Sequence, residues 1–586
     1  MNKQWDLSIL YNGFDTPEFK ADMTEFDGAI AEIVAFSGRL SELSAEELLT
    51  SYIDLETRIN SLAEKLIIYA NLRYSANTAD TEAASTMGVL MGKLSATAAP
   101  SAAINKAIAS IENIESIIEG NPLLSEHSYR ILTIVKNSKH LLSDAEESLF
   151  AEMDISGASA WSDLQSNLTS SLKVDYNGEQ ITLSSVRNLA YDPDPKVRRE
   201  AYEAELAAYP KVDTAVAFAL NSIKLQVIGE AARRGYTSPL AKALDNSAMK
   251  QETLDALLTA MNEYMPDFRR YLKAKAKALG HEGGLPWYDL FAPMGKSDKK
   301  YTTEEARDYL LNIFAKFDTE LHDMVKEAFD NSWIDFFPRE GKVGGAFDCA
   351  VHSAGQSRVL TNFDGSFSDI VTLAHELGHS FHDRQVYKNS PLNREYSMPV
   401  AETASTFNET LVMNTAIAEC TDRDTKLALI ESQLMDATQV IVDIYSRYLF
   451  EASVFENRPT EFLSADRCCD LMLDAQKKAY GDGLDEGCLH KYMWLCKGHY
   501  YSGGLSFYNY PYAFGALFAR GLYAKYMDVG SAFVDTYKKM LRATGTSTVE
   551  DAALVCGIDL TDVNFWRSGL EAMKAQIDEF CRLVNY

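Results

Sequence analysis

Apolar residues recur at helical spacing through most of this chain. Thr16–Phe36, Ser44–Leu72 and Asp144–Asp154 each repeat apolar and acidic positions three and four apart, the mark of amphipathic helices. The pattern returns in Arg198–Tyr209 and Thr214–Arg233, within a long helical stretch from Lys196 to Leu279. It returns again in Ala516–Met527 and Val563–Val584. Thr302–Glu305 offers a capping box that opens a helix running to about Phe329. Weakly polar Val89–Ile111 is broken by Lys93, Pro100 and Lys106, so it reads as buried helix rather than a membrane span. Lys273, Lys275 and Lys277 read as a solvated face.

Two stretches depart from this period. Val174–Leu183 places Asn177-Gly178 between β-prone flanks, a two-residue hairpin signal. Just beyond it, Asp194 is placed to cap a helix and Pro195 to occupy its first turn. The lobe boundary is therefore set here, with residues 1–190 as an amino-terminal helical lobe carrying a short β-hairpin and residues 191–586 as the second region. From Gly341 to Asn362, short β-prone runs punctuated by glycine predict a small sheet. Gly344-Gly345 lets another backbone approach closely. Gly345, Ala346 and Phe347 then read either as an edge strand that pairs with a bound peptide or as a hairpin that only packs.

The next helix, Asp369 to Gln385, buries Ile370, Leu373, Ala374 and Leu377 and contains His375-Glu376-Leu377-Gly378-His379. Residues four apart share a helix face, so His375 and His379 are placed to hold one metal ion. Glu376 adjoins the first histidine, where it reaches a water as general base. After the loop Val386–Met398 a second helical pattern carries Glu402 and Glu409, seven apart and on one face. Glu402 is at a distance suited to a third ligand, with Glu395 as a weaker rival. The bland alternative is a chance histidine pair on a surface helix. His382 and Gln385 stand where a metzincin needs glycine and histidine, which excludes that class.

A second cluster is His499-Tyr-Tyr-Ser-Gly-Gly-Leu-Ser-Phe-Tyr-Asn-Tyr-Pro-Tyr512. A glycine-bearing loop rich in hydroxyls suits donation to a tetrahedral oxyanion; an aromatic cluster packed beneath a loop is the alternative.

Thr372–His382 followed by Val400–Glu409 resembles the thimet-oligopeptidase-like zinc peptidases, most of all their oligoendopeptidase F branch. Trp5–Tyr11, Ser184–Ala201 and Pro286–Pro293 share the likeness, which therefore spans nearly the whole chain. It implies a mainly α, two-lobed metallopeptidase with a deep substrate cleft and a small β element beside the HExxH helix. It places zinc on His375, His379 and Glu402, the catalytic glutamate on Glu376, and on Glu409 a group that orients a histidine ligand. By motif, the substrate and transition-state contacts fall on His499, Tyr508 and Tyr510, with Tyr501 and Tyr512 also in range. The implied activity is a zinc-dependent oligoendopeptidase that cleaves internal bonds of short unfolded peptides with a glutamate-assisted water, one zinc per chain.

Composition narrows the partners. The 586 residues are 46% hydrophobic and carry a formal net charge of −28, which argues against nucleic acid and anionic membranes. No secretory signal stands out at Met1–Leu10. The eight cysteines lack CxxC spacing and read as reduced thiols in a cytoplasm. A monomer and a homo-dimer are both compatible with the sequence.

Overall fold

The protein is described here by a computed structural model covering residues 2–295 and 299–586. It is two-lobed and almost wholly helical. The elements that position the site are α1 (Ala45–Ala76), α2 (Ser128–Asn137), the hairpin β1 (Lys173–Tyr176) and β2 (Glu179–Thr182), α3 (Pro195–Ala208) and α4 (Asp213–Arg233). They continue with β3 (Ile334–Asp335), β4 (Phe347–Val351), β5 (Gln356–Leu360), α5 (Phe367–Val386), the single turn α6 (Met398–Ala401), α7 (Thr403–Glu419), α8 (Ile444–Asn457) and α9 (Tyr510–Val529).

Local signals explain the ends of these elements. Ser44 caps α1 and exchanges hydrogen bonds with Glu47 in a capping box. Asp194 caps α3, with Pro195 in its first turn. Asn177 and Gly178 both take positive φ, 51° and 84°, as a tight two-residue turn demands. Val89–Ile111, in contrast, is not one helix: it breaks between Thr81–Ser95 and Ala98–Ala109.

Two apolar cores hold the chain. The first gathers residues from Trp5 to Ile131 and is sealed by Val351, Leu360 and Leu392 from far along the sequence. The second starts at Ala158 and takes in Leu172, Val174, Leu183 and Val186 around the hairpin. The cores therefore part between Ile131 and Ala158, and the boundary at residue 190 falls inside the second one. The hairpin sits with the later residues because β1 packs on α3 and on the short helix Leu183–Asn188.

Lys275 corrects another expectation. It is fully buried, and its ammonium bonds Glu431 at 2.5 Å and the Leu290 carbonyl at 2.9 Å. Lys273 and Lys277 do stand at the surface, beside Asp482 and the Tyr586 ring. Asp289 is likewise a packing residue, bonded by Arg198 at 2.8 Å and His281 at 2.7 Å.

The small sheet has order β3-β5-β4. β3 runs parallel to β5, whereas β4 pairs antiparallel with β5 from Phe347↔Leu360 to Val351↔Gln356. β4 is thus an edge strand with one side unpaired. Phe347, Cys349 and Val351 face the first core, and the alternate residue Asp348 faces α5, where it accepts a hydrogen bond from Ser380 at 2.6 Å.

α5 begins with a capping box between Ser366 and Asp369. It lies against α7, and the crossing point is Gly378. A Cβ built there would stand 2.5 Å from Ser405 Cα and 2.6 Å from the Ala404 carbonyl oxygen. Only glycine permits this approach. Gly378→Ala is expected to cost about 1–3 kcal/mol through overpacking and to lower metal occupancy as well. Urea unfolding and elemental analysis of the purified variant measure both; wild-type values in each would refute the close-packing account.

Candidate active site

α5 presents His375 and His379 one turn apart, with ring centroids 5.0 Å from each other. Glu402 stands at the joint between α6 and α7, with φ −88° and ψ 8°, so it breaks the helix rather than lying within it. The break turns its carboxylate toward α5. Glu402 Oε2 is 3.2 Å from His375 Nε2 and 3.3 Å from His379 Nε2. Ser405 Oγ holds the same oxygen at 2.9 Å. These three donors lie within 4.8 Å of one another, and among the described residues they form the one group able to hold a metal ion. Two imidazole nitrogens and a carboxylate oxygen converging on one point suit zinc and leave room for a further ligand.

Around this point the charges support one another. Glu409, one and a half turns into α7, has Oε2 3.3 Å from His375 Nδ1. Burial works against a charged His375 ring, but the Glu402 and Glu409 carboxylates outweigh it and lift its pKa to about 10. The two imidazoles hold Glu402 well below the usual carboxylate range, against the opposing effect of burial. Glu376 is only 7% exposed. Burial pushes its carboxyl up, although both histidines and the nearby Asp348 backbone N–H favour the charged form.

Behind Glu376 lies a pair of carboxyls that the sequence reading missed. Asp348 of β4 and Asp383 of α5 are neighbours, and burial with the Asp383 charge raises Asp348 well above its ordinary range. Each carboxyl makes it harder for the other to ionise. Tyr396 donates to Asp383 at 3.1 Å, and Ser380 donates to Asp348. Asp383 follows His379 by one helical turn, a spacing that was visible in the sequence. Its partner on a strand was not. His382 is buried away from the cluster, stacked on Tyr396 with ring centroids 4.0 Å apart and 2.8 Å from Thr544 Oγ1.

The tyrosine-rich segment divides in two. His499, Tyr508 and Tyr512 form one group, with ring centroids 5.3 to 6.0 Å apart. Tyr512 is pushed up to about 12 by burial and the Tyr508 hydroxyl, and the Glu402 charge adds to the effect. Burial, Arg447 and Lys497 hold His499 below its usual value, so it is neutral near pH 7. Tyr501 and Tyr510 are not brought to this group. Each is 1% exposed; Tyr501 donates to the Trp494 carbonyl at 3.1 Å, and the Tyr510 hydroxyl meets Ser247 Oγ at 3.0 Å. Their hydroxyls are already satisfied by packing partners on the far side of the loop.

The end of that loop is pinned. Asn509 caps α9 through the Tyr510 N–H at 2.7 Å and donates to Glu451 Oε2 at 2.9 Å. Glu451 Oε1 pairs with the buried Lys224 at 2.7 Å. Phe507, just before it, sits at φ 55°, a conformation side chains rarely adopt. Gly345, at φ 79°, and Ala346 lead into β4. No atom lies within 4 Å of a Cβ built at Gly344 or Gly345, so the strand's entry is open. The Phe347 side chain turns away, 6.2 Å from the Trp5 ring.

Known proteins match the chain over nearly its whole length. The family model of Peptidase family M3 matches residues 188–571, and that of Oligopeptidase F matches residues 109–173. Oligopeptidase PepF of Bacillus subtilis is 26% identical over 99% of this chain and 87% of its own length. Group B oligopeptidase PepB of Streptococcus agalactiae is 25% identical over 99% and 97%. Among solved structures, oligoendopeptidase-F from Enterococcus faecium superposes with TM-score 0.72 at 20% identity, over 97% of this chain and 99% of that one. A structure from Chlamydophila abortus reaches TM-score 0.85 at 20% identity over 99% and 98%. With a family match across two-thirds of its length and relatives along all of it, the chain belongs to peptidase family M3 and is a peptide hydrolase.

Proposed function

We propose that the protein is a zinc-dependent oligoendopeptidase that hydrolyses internal bonds of short unfolded peptides, one zinc per chain. The observation that carries this reading is the convergence of His375, His379 and Glu402 beside a buried Glu376 whose carboxyl is raised. Zinc, when bound by these three residues, supplies Lewis acidity to a carbonyl and to water. Glu376 takes a proton from the attacking water and delivers it to the leaving amine. Its raised pKa suits that exchange, because a base poised nearer neutrality both accepts and returns a proton. Glu409 holds His375 in the tautomer that directs Nε2 inward.

The substrate backbone adds to the free edge of β4, entering past Gly345, Ala346 and Phe347, as β-augmentation requires. Tyr512, with Tyr508 and neutral His499 beside it, donates hydrogen bonds to the oxygen that gains charge. A phenol held near 12 remains protonated at working pH and therefore remains a donor. Tyr510 and Tyr501 support the loop from behind. No helix among the described residues is long and apolar enough to cross a membrane, and all eight cysteines are free thiols. Both features suit work on peptides in a reducing cytoplasm.

A ten-residue peptide blocked at both ends tests the class directly. Internal cleavage seen by mass spectrometry, abolished by a chelator and restored by zinc, is expected. Trimming only of unblocked peptides would mark an exopeptidase instead. Glu376→Gln is expected to keep its zinc and lose about 10²–10⁴-fold in kcat; near-normal turnover would remove Glu376 from its role.

The tyrosines separate by a second experiment. Tyr512→Phe is expected to lower kcat by about 10²–10³-fold with KM little changed, the signature of a lost transition-state donor. Tyr510→Phe is expected to act on thermal stability more than on kcat. The opposite pattern would move the donor to Tyr510.

A further inference from the structure

A cavity of about 670 Å³ opens beside the free edge of β4 and plays no part in the chemistry above. Its walls come from both lobes: Glu64 of α1, Arg130 of α2, Asp348 to Ala350 of β4, and Arg394 in the loop before α6. We propose that this cavity is a substrate subsite and that Arg394 receives a carboxylate of the bound peptide there. The inference rests on the peptidase reading and names a class of substrate for it.

Arg394 is built as an anion receiver. Its Nε donates to the Asn389 carbonyl at 3.1 Å, and its guanidinium carbon lies 4.7 Å from the centre of the Tyr387 ring. These two contacts hold the group in place. Among the described residues, no carboxylate pairs with it within 4 Å, and its Nε is the one guanidinium nitrogen with a hydrogen-bond partner. A fixed, planar fork with both terminal donors free matches a carboxylate in two parallel bonds. Burial lowers the Arg394 pKa even with the Glu64 charge nearby, so the surrounding protein does not repay the loss of hydration. An arriving carboxylate would.

Of the four acidic groups lining the cavity, Glu395 adds its charge to that of Glu56 beside Arg130, and the other three are otherwise engaged. Glu64 accepts the His352 N–H at 3.0 Å, and burial raises its carboxyl, which weakens its repulsion of a second anion. Asp348 and Asp383 occupy one another. Arg130 lies 3.8 Å from Glu56, leaving Arg394 as the cavity's unpaired cation. Strand geometry then sets the position. At about 3.3 Å per residue, Asp348 to His352 spans roughly 13 Å. An extended peptide paired along β4 from the scissile bond brings its residues two to four positions away to this wall.

The test uses ten-residue peptides, amidated at the C-terminus, that differ only in Glu or Gln at each position two to four from the cleaved bond. At one of these positions Glu is expected to raise kcat/KM over Gln by about tenfold or more, chiefly through KM. Arg394→Gln is expected to bring that ratio close to one, and Arg394→Lys to keep part of it. The ratio is internal to each variant, so a general loss of activity does not enter it. A preference for the free C-terminal acid over the amide, with Glu and Gln equal, would identify the chain terminus as the source of the carboxylate. Equal rates throughout, or a ratio that survives Arg394→Gln, would overturn the subsite. Calorimetric titration of the same peptides into Glu376→Gln protein separates the two readings. A Glu preference in binding without cleavage by the wild type would overturn the peptidase and keep the Arg394 site; equal binding would overturn the site.

Discussion

The geometry of the candidate site depends on a contact in which there is no side chain. Gly378 lets α5 meet the start of α7 closer than any Cβ permits, and that approach carries Glu402 to the histidine pair. On the opposite side of Glu402, a Cβ built at Gly515 of α9 would stand 3.0 Å from the glutamate's own Cβ. One glutamate is thus held between two glycines on two helices. Because α9 is registered against Glu402, Tyr512 three residues earlier is registered as well. The histidine pair, Glu402, Glu376 and Tyr512 therefore share a single packing constraint, and a change in helix spacing would be felt at all of them.

Buried ion pairs give the surrounding core its register. Lys224–Glu451, Lys275–Glu431 and Arg198–Asp289 each join segments separated by 91 to 227 residues. Such pairs add little net stability, because removing two charges from water costs about as much as their attraction returns. Misplacing one partner is far more costly, since it strands a charge in an apolar core. Their effect is thus to penalise alternative packings. In Lys224–Glu451 the penalty extends to Asn509, and through it to the first turn of α9.

Much of this was readable along the chain, and what escaped has a common cause. The helices, the Asn177-Gly178 turn, the Asp194-Pro195 cap and the HExxH spacing are local, set by neighbours within about four residues. Lys275 escaped because its partner lies 156 residues away; a lysine in a helical pattern reads as solvated until something distant covers it. Tyr510 and Tyr512 differ only in which side of a helix start each faces, and Ser247 decides that from the other half of the loop's surroundings. Asp348 and Asp383 become neighbouring buried carboxyls only once a strand lies across α5. The division at residue 190 followed the hairpin and the Asp194-Pro195 cap, whereas the cores divide where apolar partners are found.

The unpaired side of β4 has a further consequence. An open strand edge is normally a liability, since it templates pairing with any other exposed strand and so leads toward aggregation. Natural proteins blunt such edges with charge, proline or a short length. Here α1 and the loop through Arg394 shield the edge instead, at the floor of a cavity between the lobes. A β4 edge recessed in this way is less open to the β4 of another folded copy than to a single extended strand. The recess thus lets the edge keep its capacity to pair while shielding it from the flanks.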